Sequence, residues 1–437
     1  MHFMDQSLYN APDASLRPGG HFRWLVMQEG TRQTYAVPLS FQRLGQLRLM
    51  YTDVWCWWGR EWLKRGPAGA RALATRFDPL IPADRVIAFN AHAILDRAIN
   101  HFRRGYLTPE QHAAKFIDYG TWLAKRVRQH LSGLELDSER DIFFGFDTNC
   151  LETLEYLKSR NIFTVVDQID PGKVEEDMVV EEAARWTGWT KLPGRLPEAY
   201  WERLRAEWAI ADLILVNSEW SKRAIIAQGV PADRIIVVPV CIDLHHWSPG
   251  LPIQARGPLK VLWLGSINLR KGIQYLVEAA RLLQHESIEF LLAGPLNVAD
   301  KVVKTFPSNI KLLGRITRDL TDQVYKQAHV FVLPTISDGF AITQLEAMAH
   351  GLPVVTTPNC GDVITDGVDG FIVPARDGTA LAGALSRLNQ DRALLEQMSA
   401  KVLEKIRHYD LPQNALLINR LVADYRSRIT SEQNPKP

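Results

Sequence analysis

Two carboxylates eight residues apart frame a short loop that contains glycine, in the stretch DGFAITQLE from Asp338 to Glu346. The apolar run before this loop predicts a buried parallel strand, and the apolar spacing from Ile342 onward predicts a helix. A loop that passes through Gly339 into a helix N-terminus offers backbone N–H groups and the positive end of a dipole, which suits a phosphate. The spacing therefore predicts that the two acids hold different parts of one ligand.

A second loop carries two adjacent cations in front of a glycine. After the predicted strand Lys260–Leu264 the sequence reads GSINLRKG, so Arg270 and Lys271 precede the amphipathic helix predicted over Ile273–Leu283. Guanidinium and ammonium groups at the start of a helix suit a diphosphate through charge-assisted hydrogen bonds. The spacing is not that of the P-loop motif, and the alternative interpretation is a pair of solvated cations.

The elements that position these loops alternate between strand and helix along the chain. This order predicts an α/β fold with two Rossmann-like domains, beginning with the strand Phe22–Met27. Several polar residues or glycines stand just after predicted strands, where α/β proteins place ligands: Gly30, His92, Asp147 and Asn149. A lone histidine at such a place also fits a structural role.

Length and composition limit the classes of protein that remain. The chain has 437 residues, 46% of them hydrophobic and 23% charged, which predicts a globular protein of two domains. A net charge of +2 gives no strong case for a nucleic-acid partner. Four scattered cysteines have no metal-ligand spacing and favour a reducing cytosol. No apolar run reaches the roughly 18–20 residues that cross a bilayer, so we expect a cytoplasmic protein, soluble or peripheral at the inner face of the membrane.

Residues 55–76 combine tryptophans with basic side chains, and two interpretations remain open. Aromatic rings interleaved with cations are typical of a segment that rests on an anionic membrane surface. The same residues fit core tryptophans beside a solvated basic face, since glycines and a proline interrupt any long amphipathic helix. The residues concerned are Trp55, Trp57, Trp58 and Trp62 with Arg60, Lys64, Arg65, Arg71 and Arg76.

The two loops resemble the motifs of the family-four retaining glycosyltransferases, whose signature is an acid, Gly-Phe, five residues and Glu. Here the signature is Asp338-Gly339-Phe340 followed by Glu346, with Asp in place of the usual Glu. The resemblance covers about residues 205–430 well and residues 20–200 weakly. It implies the glycosyltransferase B-type (GT-B) fold, in which two Rossmann-like domains face each other across a cleft.

The resemblance also implies a domain organisation. We expect a flexible N-terminus (1–20), an acceptor domain (21–247), a Pro/Gly-rich linker (248–258), a donor domain (259–410) and a C-terminal helix (411–430) that packs back on the N-terminal domain.

The implied reaction moves a sugar from a nucleoside-diphosphate sugar to an acceptor hydroxyl with retention of configuration. In the family the first acid holds the donor sugar and the second holds the ribose, which here are Asp338 and Glu346. The implied role of Lys271 and Arg270 is to neutralise the leaving diphosphate, so no metal or other cofactor is expected. The resemblance further implies donor contacts from Gly265, Ser266, Arg315, Ile316 and the backbone of Gly339, Phe340, Ala341 and Ile342. Where the family has a histidine against the sugar, this chain has Asp147 or Asn149, and Gly30 lies in the first donor-facing loop.

Two alternatives remain open. One is a non-catalytic subunit that binds sugar nucleotides, because Asp338, Ser266 and Cys241 depart from the family pattern. The other is a nucleotide-sugar epimerase, which could have the same fold and the same donor loops. The acceptor, which is a glycan, a glycolipid or a small molecule, the sugar, the nucleotide and the oligomeric state are not determined by the sequence.

Overall fold

The computed structural model describes residues 22–95, 109–190, 194–247, 253 and 256–433. The predicted flexible N-terminus and most of the predicted linker lie outside the described residues. A helix predicted over 93–131 is described only in part: residues 90–95 are helical, and a long helix begins at Pro109.

The N-terminal domain is built on a parallel sheet of seven strands in the order β3-β2-β1-β4-β5-β6-β7. Its central strands are apolar on both faces; in β4 every residue is buried. The strands are β1 Arg23–Gln28, β2 Leu47–Thr52, β3 Val86–Ala88, β4 Asp141–Phe146, β5 Phe163–Gln168, β6 Leu213–Val216 and β7 Ile235–Val237. The helices are α1 Ala36–Arg43, α2 Arg60–Lys64, α3 Ala68–Ala74, α4 Pro109–Leu131, α5 Leu151–Ser159, α6 Lys173–Arg185, α7 Glu198–Ile210 and α8 Glu219–Ala227.

The C-terminal domain is built on a parallel sheet of six strands in the order β10-β9-β8-β11-β12-β13. The strands are β8 Leu259–Leu264, β9 Ile288–Ala293, β10 Ile310–Gly314, β11 Val330–Leu333, β12 Val354–Thr356 and β13 Gly370–Ile372. The helices are α9 Ile273–Leu282, α10 Asp300–Val303, α11 Arg318–Lys326, α12 Thr343–Ala349, α13 Gly378–Gln390, α14 Arg392–Lys405 and α15 Leu411–Gln433. Short 3-10 turns span Arg32–Tyr35, Ala83–Arg85, Ala232–Arg234, Leu244–His246 and Ile406–Tyr409.

The strand orders explain where a ligand can bind. In each sheet the connections leave the central pair of strands in opposite directions, which opens a crevice at the carboxyl ends of that pair. The pair is β1 and β4 in the N-terminal sheet, and β8 and β11 in the C-terminal sheet. Both sequence motifs, the loop 265–272 and the loop 334–342, follow the second pair directly.

Two helices cross between the domains. Helix α15 packs on the N-terminal domain, where Leu411, Ile418 and Val422 join the core around Trp24, and the Trp24 indole N–H donates to Asn419 Oδ1 at 3.0 Å. Helix α6 belongs to the N-terminal part of the chain, yet its Ala183 is buried in the core of the C-terminal domain. The two domains therefore each complete the other's core.

Candidate active site

The two motif loops are joined through their backbones. Gly272 has a φ of +81°, and a Cβ there would overlap the Pro334 carbonyl oxygen, so glycine is needed for the close approach. The Arg270 carbonyl oxygen accepts from Ile336 N at 2.9 Å and from Thr335 Oγ1 at 3.0 Å. These contacts place the cations of one loop against the acid of the other.

Lys271 and Asp338 form the centre of the site. The Lys271 ammonium contacts the Asp338 carboxylate, and Arg270 Nη1 lies 4.0 Å from Asp338 Oδ1. Burial and the neighbouring Arg270 guanidinium lower the pKa of Lys271 to about 7. The Glu175 carboxylate opposes this effect on the pKa by favouring the protonated amine. At neutral pH the Lys271 amine is therefore only partly protonated. The negative charge of a bound diphosphate would favour its protonated form.

The N-terminal domain contributes an acid to the same cluster. Glu175, near the start of α6, accepts from Arg270 Nη1 at 2.9 Å and from Ser337 Oγ at 3.0 Å. Burial raises the pKa of Glu175. A carboxylate from across the cleft thus occupies the position at which the motifs predict phosphate charge.

The signature loop itself lies at the boundary between the domains. The Gly339 carbonyl oxygen accepts from Ser218 Oγ at 2.7 Å, and a Cβ on Gly339 would overlap the Ile169 carbonyl oxygen. Ala341 has a φ of +63°, an unusual left-handed conformation for a residue with a side chain. Within the described part of the chain, no group accepts from the backbone N–H groups of Gly339, Phe340, Ala341 and Ile342. These amides are available to a ligand.

Glu346, on helix α12 after the signature loop, is held in place by Tyr325, whose ring is supported by His350. Its Oε2 accepts from Tyr325 O–H at 2.9 Å, and the Tyr325 ring stacks on His350 with centroids 4.7 Å apart. The His350 Nε2 lies 2.9 Å from Asp322 Oδ1, which fixes the imidazole in turn. The carboxylate is therefore positioned before any ligand arrives.

The opposite wall of the cleft is polar and buried. Asp147, directly after β4, pairs with Arg32 at 3.3 Å, and its Oδ2 accepts from Gln168 Nε2 at 3.2 Å. Burial raises the pKa of Asp147 well above its usual range, while Arg32 opposes that rise. Arg32 is brought there by three successive residues with left-handed φ, Gln33, Thr34 and Tyr35.

Other predicted contacts have protein partners of their own. The Gly30 N–H donates to Asp53 Oδ1 at 2.9 Å, the Gly265 N–H donates to the Ala293 carbonyl at 2.9 Å, and Ser266 Oγ accepts from Asn297 Nδ2 at 2.5 Å. His92 stacks on Trp122 with ring centroids 4.1 Å apart.

Three further candidates, Asn149, Arg315 and Ile316, are not part of the central cluster. The Asn149 side chain lies against Gly120 on α4, away from the signature loop. Arg315 is exposed, and Ile316 packs on the C-terminal core. The structure therefore gathers Arg270, Lys271 and Asp338 into one cluster and leaves these three outside it.

Two cleft residues were not predicted from the sequence, Arg32 and Glu175. Arg32 stands four residues beyond β1, and this position after a strand was a signal that could have drawn attention to it. Glu175 carries no comparable signal, because its role depends on a contact with a loop 95 residues further along the chain.

Comparison with known proteins supports the resemblance. Residues 258–391, which hold both motif loops, match the family described as glycosyl transferases group 1. The match spans less than a third of the chain. The resemblance seen in the sequence is confirmed.

Curated relatives align with part of the chain. The amylovoran biosynthesis glycosyltransferase AmsK of Erwinia amylovora is 27% identical over 197 residues, which cover 42% of this chain and 48% of the relative. The D-inositol 3-phosphate glycosyltransferase of Mycolicibacterium vanbaalenii is 30% identical over 252 residues, covering 50% of this chain and 55% of the relative. The matched segments thus span about half the length of these relatives.

Solved structures share the fold of this chain over nearly its whole length. The sucrose-phosphate synthase of Thermosynechococcus elongatus has a TM-score of 0.60 and 19% identity, covering 94% of this chain and 100% of that one. Anabaena Alr3699/HepE, solved in complex with UDP, has a TM-score of 0.58 and 14% identity, covering 93% and 100%. The predicted architecture of two Rossmann-like domains, the GT-B fold, is confirmed.

The described residues contain no helix that is both long and apolar enough to cross a membrane. They also contain no group of three or more His, Cys, Asp and Glu side chains arranged to hold a metal ion.

Proposed function

We propose that the protein transfers a sugar from a nucleoside-diphosphate sugar to an acceptor hydroxyl, with retention of the anomeric configuration. The observation that carries the proposal is the convergence of Arg270 and Lys271 on Asp338 at the crevice of the C-terminal sheet. Cations beside available backbone amides suit a diphosphate. Related folds solved with UDP and with UDP-glucose support the same class of donor.

The proposed chemistry follows from the charge distribution. The bond between the anomeric carbon and the diphosphate oxygen breaks, and both bonding electrons leave with the diphosphate. Lys271 and Arg270 stabilise that negative charge as it develops. The acceptor oxygen forms its bond to the anomeric carbon on the same face, and its proton passes to an oxygen of the leaving phosphate. Asp338 binds hydroxyls of the sugar, and Glu346 binds the ribose.

In the proposed reaction, Arg270 and Lys271 neutralise the leaving diphosphate as a divalent metal ion does in other transferases. The reaction therefore needs no metal. Activity is expected to persist after dialysis against EDTA. Loss of activity that Mg²⁺ or Mn²⁺ restores would contradict this part of the proposal.

The acceptor is proposed to bind against the N-terminal wall of the cleft, beside Arg32 and Asp147. This wall lies at the crevice of the N-terminal sheet, across from the signature loop. The donor side is built from shared motifs, whereas this wall departs from the family pattern at Asp147. The N-terminal half of the chain, which resembles the family less, is therefore proposed to determine which acceptor binds.

A ligand screen tests the donor class first. Thermal shift is measured with UDP, GDP, ADP and their sugars, and the expected result is stabilisation by one nucleoside diphosphate and its sugars. Donor hydrolysis is then followed with and without acceptor extracts. Lys271→Ala is expected to lower turnover on the order of 10²–10³-fold, and thermal unfolding checks that the variant is folded, because it leaves the Asp338 carboxylate without its partner. The exposed Lys401→Ala on α14 is the matched control.

The outcomes separate the alternatives. Donor binding without hydrolysis or transfer in any extract supports a non-catalytic subunit instead. Conversion of the donor to its epimer supports an epimerase. A Lys271→Ala variant with wild-type kcat contradicts the assignment of this loop.

A further inference from the structure

Residues 57–75 form a protrusion on the N-terminal domain. Its two ends are joined where Cys56 N donates to the Arg76 carbonyl oxygen at 2.7 Å. At its base the rings of Trp55 and Phe77 lie 5.2 Å apart, and Trp55 is buried. Asn90 fixes the Trp55 backbone from both sides, accepting from its N–H at 2.8 Å and donating to its carbonyl at 3.0 Å. These contacts fix both ends of the protrusion to the N-terminal domain.

The interpretation of these tryptophans as core residues holds for Trp55 and fails for the other three. Trp57, Trp58 and Trp62 are 65%, 72% and 81% exposed. Every other tryptophan in the described part of the chain is buried or half-buried. Three indoles close together in sequence are thus presented to solvent, where large aromatic rings are unfavourable unless a partner covers them.

Charge indicates which partner fits. Residues 57–75 contain four cations, Arg60, Lys64, Arg65 and Arg71, and one acid, Glu61. Arg60 turns inward over the Phe77 ring, 4.3 Å from its centroid, while Lys64, Arg65 and Arg71 are exposed. Indole rings favour the boundary between headgroups and acyl chains, and the cations favour anionic headgroups.

The position of the protrusion connects it to the cleft. The Arg76 side chain at its base pairs with Asp53 at 3.5 Å and fills the space beside Gly30. Gly30 begins the loop that carries Arg32 to the N-terminal wall of the cleft. The protrusion and this wall are therefore built on the same strand ends.

We propose that the protrusion 57–75 docks on an anionic lipid bilayer, with Trp57, Trp58 and Trp62 at the interface. Docking itself does not depend on the catalytic proposal. The role that we assign to docking is to bring the N-terminal wall of the cleft close to an acceptor in that bilayer. This role rests on the proposed function.

Vesicle binding tests the docking directly on the protein without donor. Wild type is expected to co-sediment with vesicles of phosphatidylglycerol and phosphatidylcholine, and to bind phosphatidylcholine alone much more weakly. The triple variant Trp57→Ser/Trp58→Ser/Trp62→Ser is expected to bind at least about tenfold more weakly at any salt concentration. Lys64→Gln/Arg65→Gln is expected to lose about fivefold per cation at low salt, and little at 1 M salt. The double variant Leu282→Ser/Lys401→Gln, at exposed sites on α9 and α14, is the control and should bind like wild type.

The proposal is overturned if wild type does not bind anionic vesicles at low salt, or if the triple variant binds like wild type. Thermal unfolding checks that each variant is folded, and the charge variant remains informative if the triple variant is not. Because no donor is present, failure here leaves the proposed reaction untouched. A failed donor screen likewise leaves the vesicle result standing.

Discussion

At the scale of single residues, the protonation of Lys271 is the most sensitive feature of the site. Burial and the neighbouring Arg270 disfavour the charged form of its amine, and Glu175 favours it. With a pKa of about 7 in the free protein, the amine is protonated at pH 6 and mostly neutral at pH 8.5. Only the protonated form attracts a diphosphate.

Donor affinity should therefore fall as pH rises. The intact sugar nucleotide is the right probe, because its own phosphates do not titrate in this range. Between pH 6 and pH 8.5 we expect its Kd, measured by calorimetry, to rise by up to about thirtyfold. Lys271→Arg, whose charge is permanent, should flatten this profile. A wild-type Kd that does not change with pH would show that Lys271 does not meet the diphosphate.

The two acids should have separable roles. Glu346→Gln is expected to weaken free UDP, or the nucleoside diphosphate found in the screen, and the intact donor alike, since both carry ribose. Asp338→Asn is expected to weaken the intact donor relative to free diphosphate, because the contact with the sugar is lost, whereas release of Lys271 from its ion pair acts on both ligands alike. A lost charge-assisted hydrogen bond is worth roughly 1.5–3 kcal/mol, or about ten- to a hundredfold in Kd. Titration calorimetry resolves this difference, and equal weakening of free diphosphate by both variants would contradict the division.

At the scale of elements, the joint between the two motif loops depends on Gly272. Gly272→Ala is expected to lose roughly 1–2 kcal/mol of unfolding free energy from its left-handed φ and roughly 1–3 kcal/mol more from overlap with Pro334. Gly367→Ala is the matched control, because its φ is +75° and nothing lies within 4 Å of the added carbon. Urea unfolding measures both variants. Equal losses would show that the two loops separate without cost.

How far the sequence predicts this arrangement depends on whether an element's signal is local. Strand β11 and the helix after the signature loop were predicted correctly, since the apolar residues that define each of them lie within a few positions of each other. Helix α6 was not predicted, because its buried Glu182 and Ala183 are explained only by the domain they pack against. The same reason hid Glu175.

At the scale of the whole molecule, Glu175 of the N-terminal domain competes with the diphosphate of the donor for Arg270. Its carboxylate neutralises Arg270 from the opposite domain. Glu175→Gln should therefore raise the affinity for free UDP, or for the nucleoside diphosphate found in the screen, by about tenfold, since one negative charge near the phosphate is removed. Glu181→Gln is the control, because Glu181 on the same helix pairs with Arg376 of the other domain, away from the cluster. A fall in affinity would show instead that Glu175 positions Arg270 for binding.

The packing of α15 on the N-terminal domain has a consequence for synthesis on the ribosome. Leu411, Ile418 and Val422, which cover the core around Trp24, are translated almost four hundred residues after it. At about 5–20 residues per second, the apolar face of the N-terminal domain waits roughly 20–80 s for this cover. During that time the incomplete core of the nascent chain is exposed to other proteins. The N-terminal domain is therefore synthesised before the C-terminal domain but completed after it.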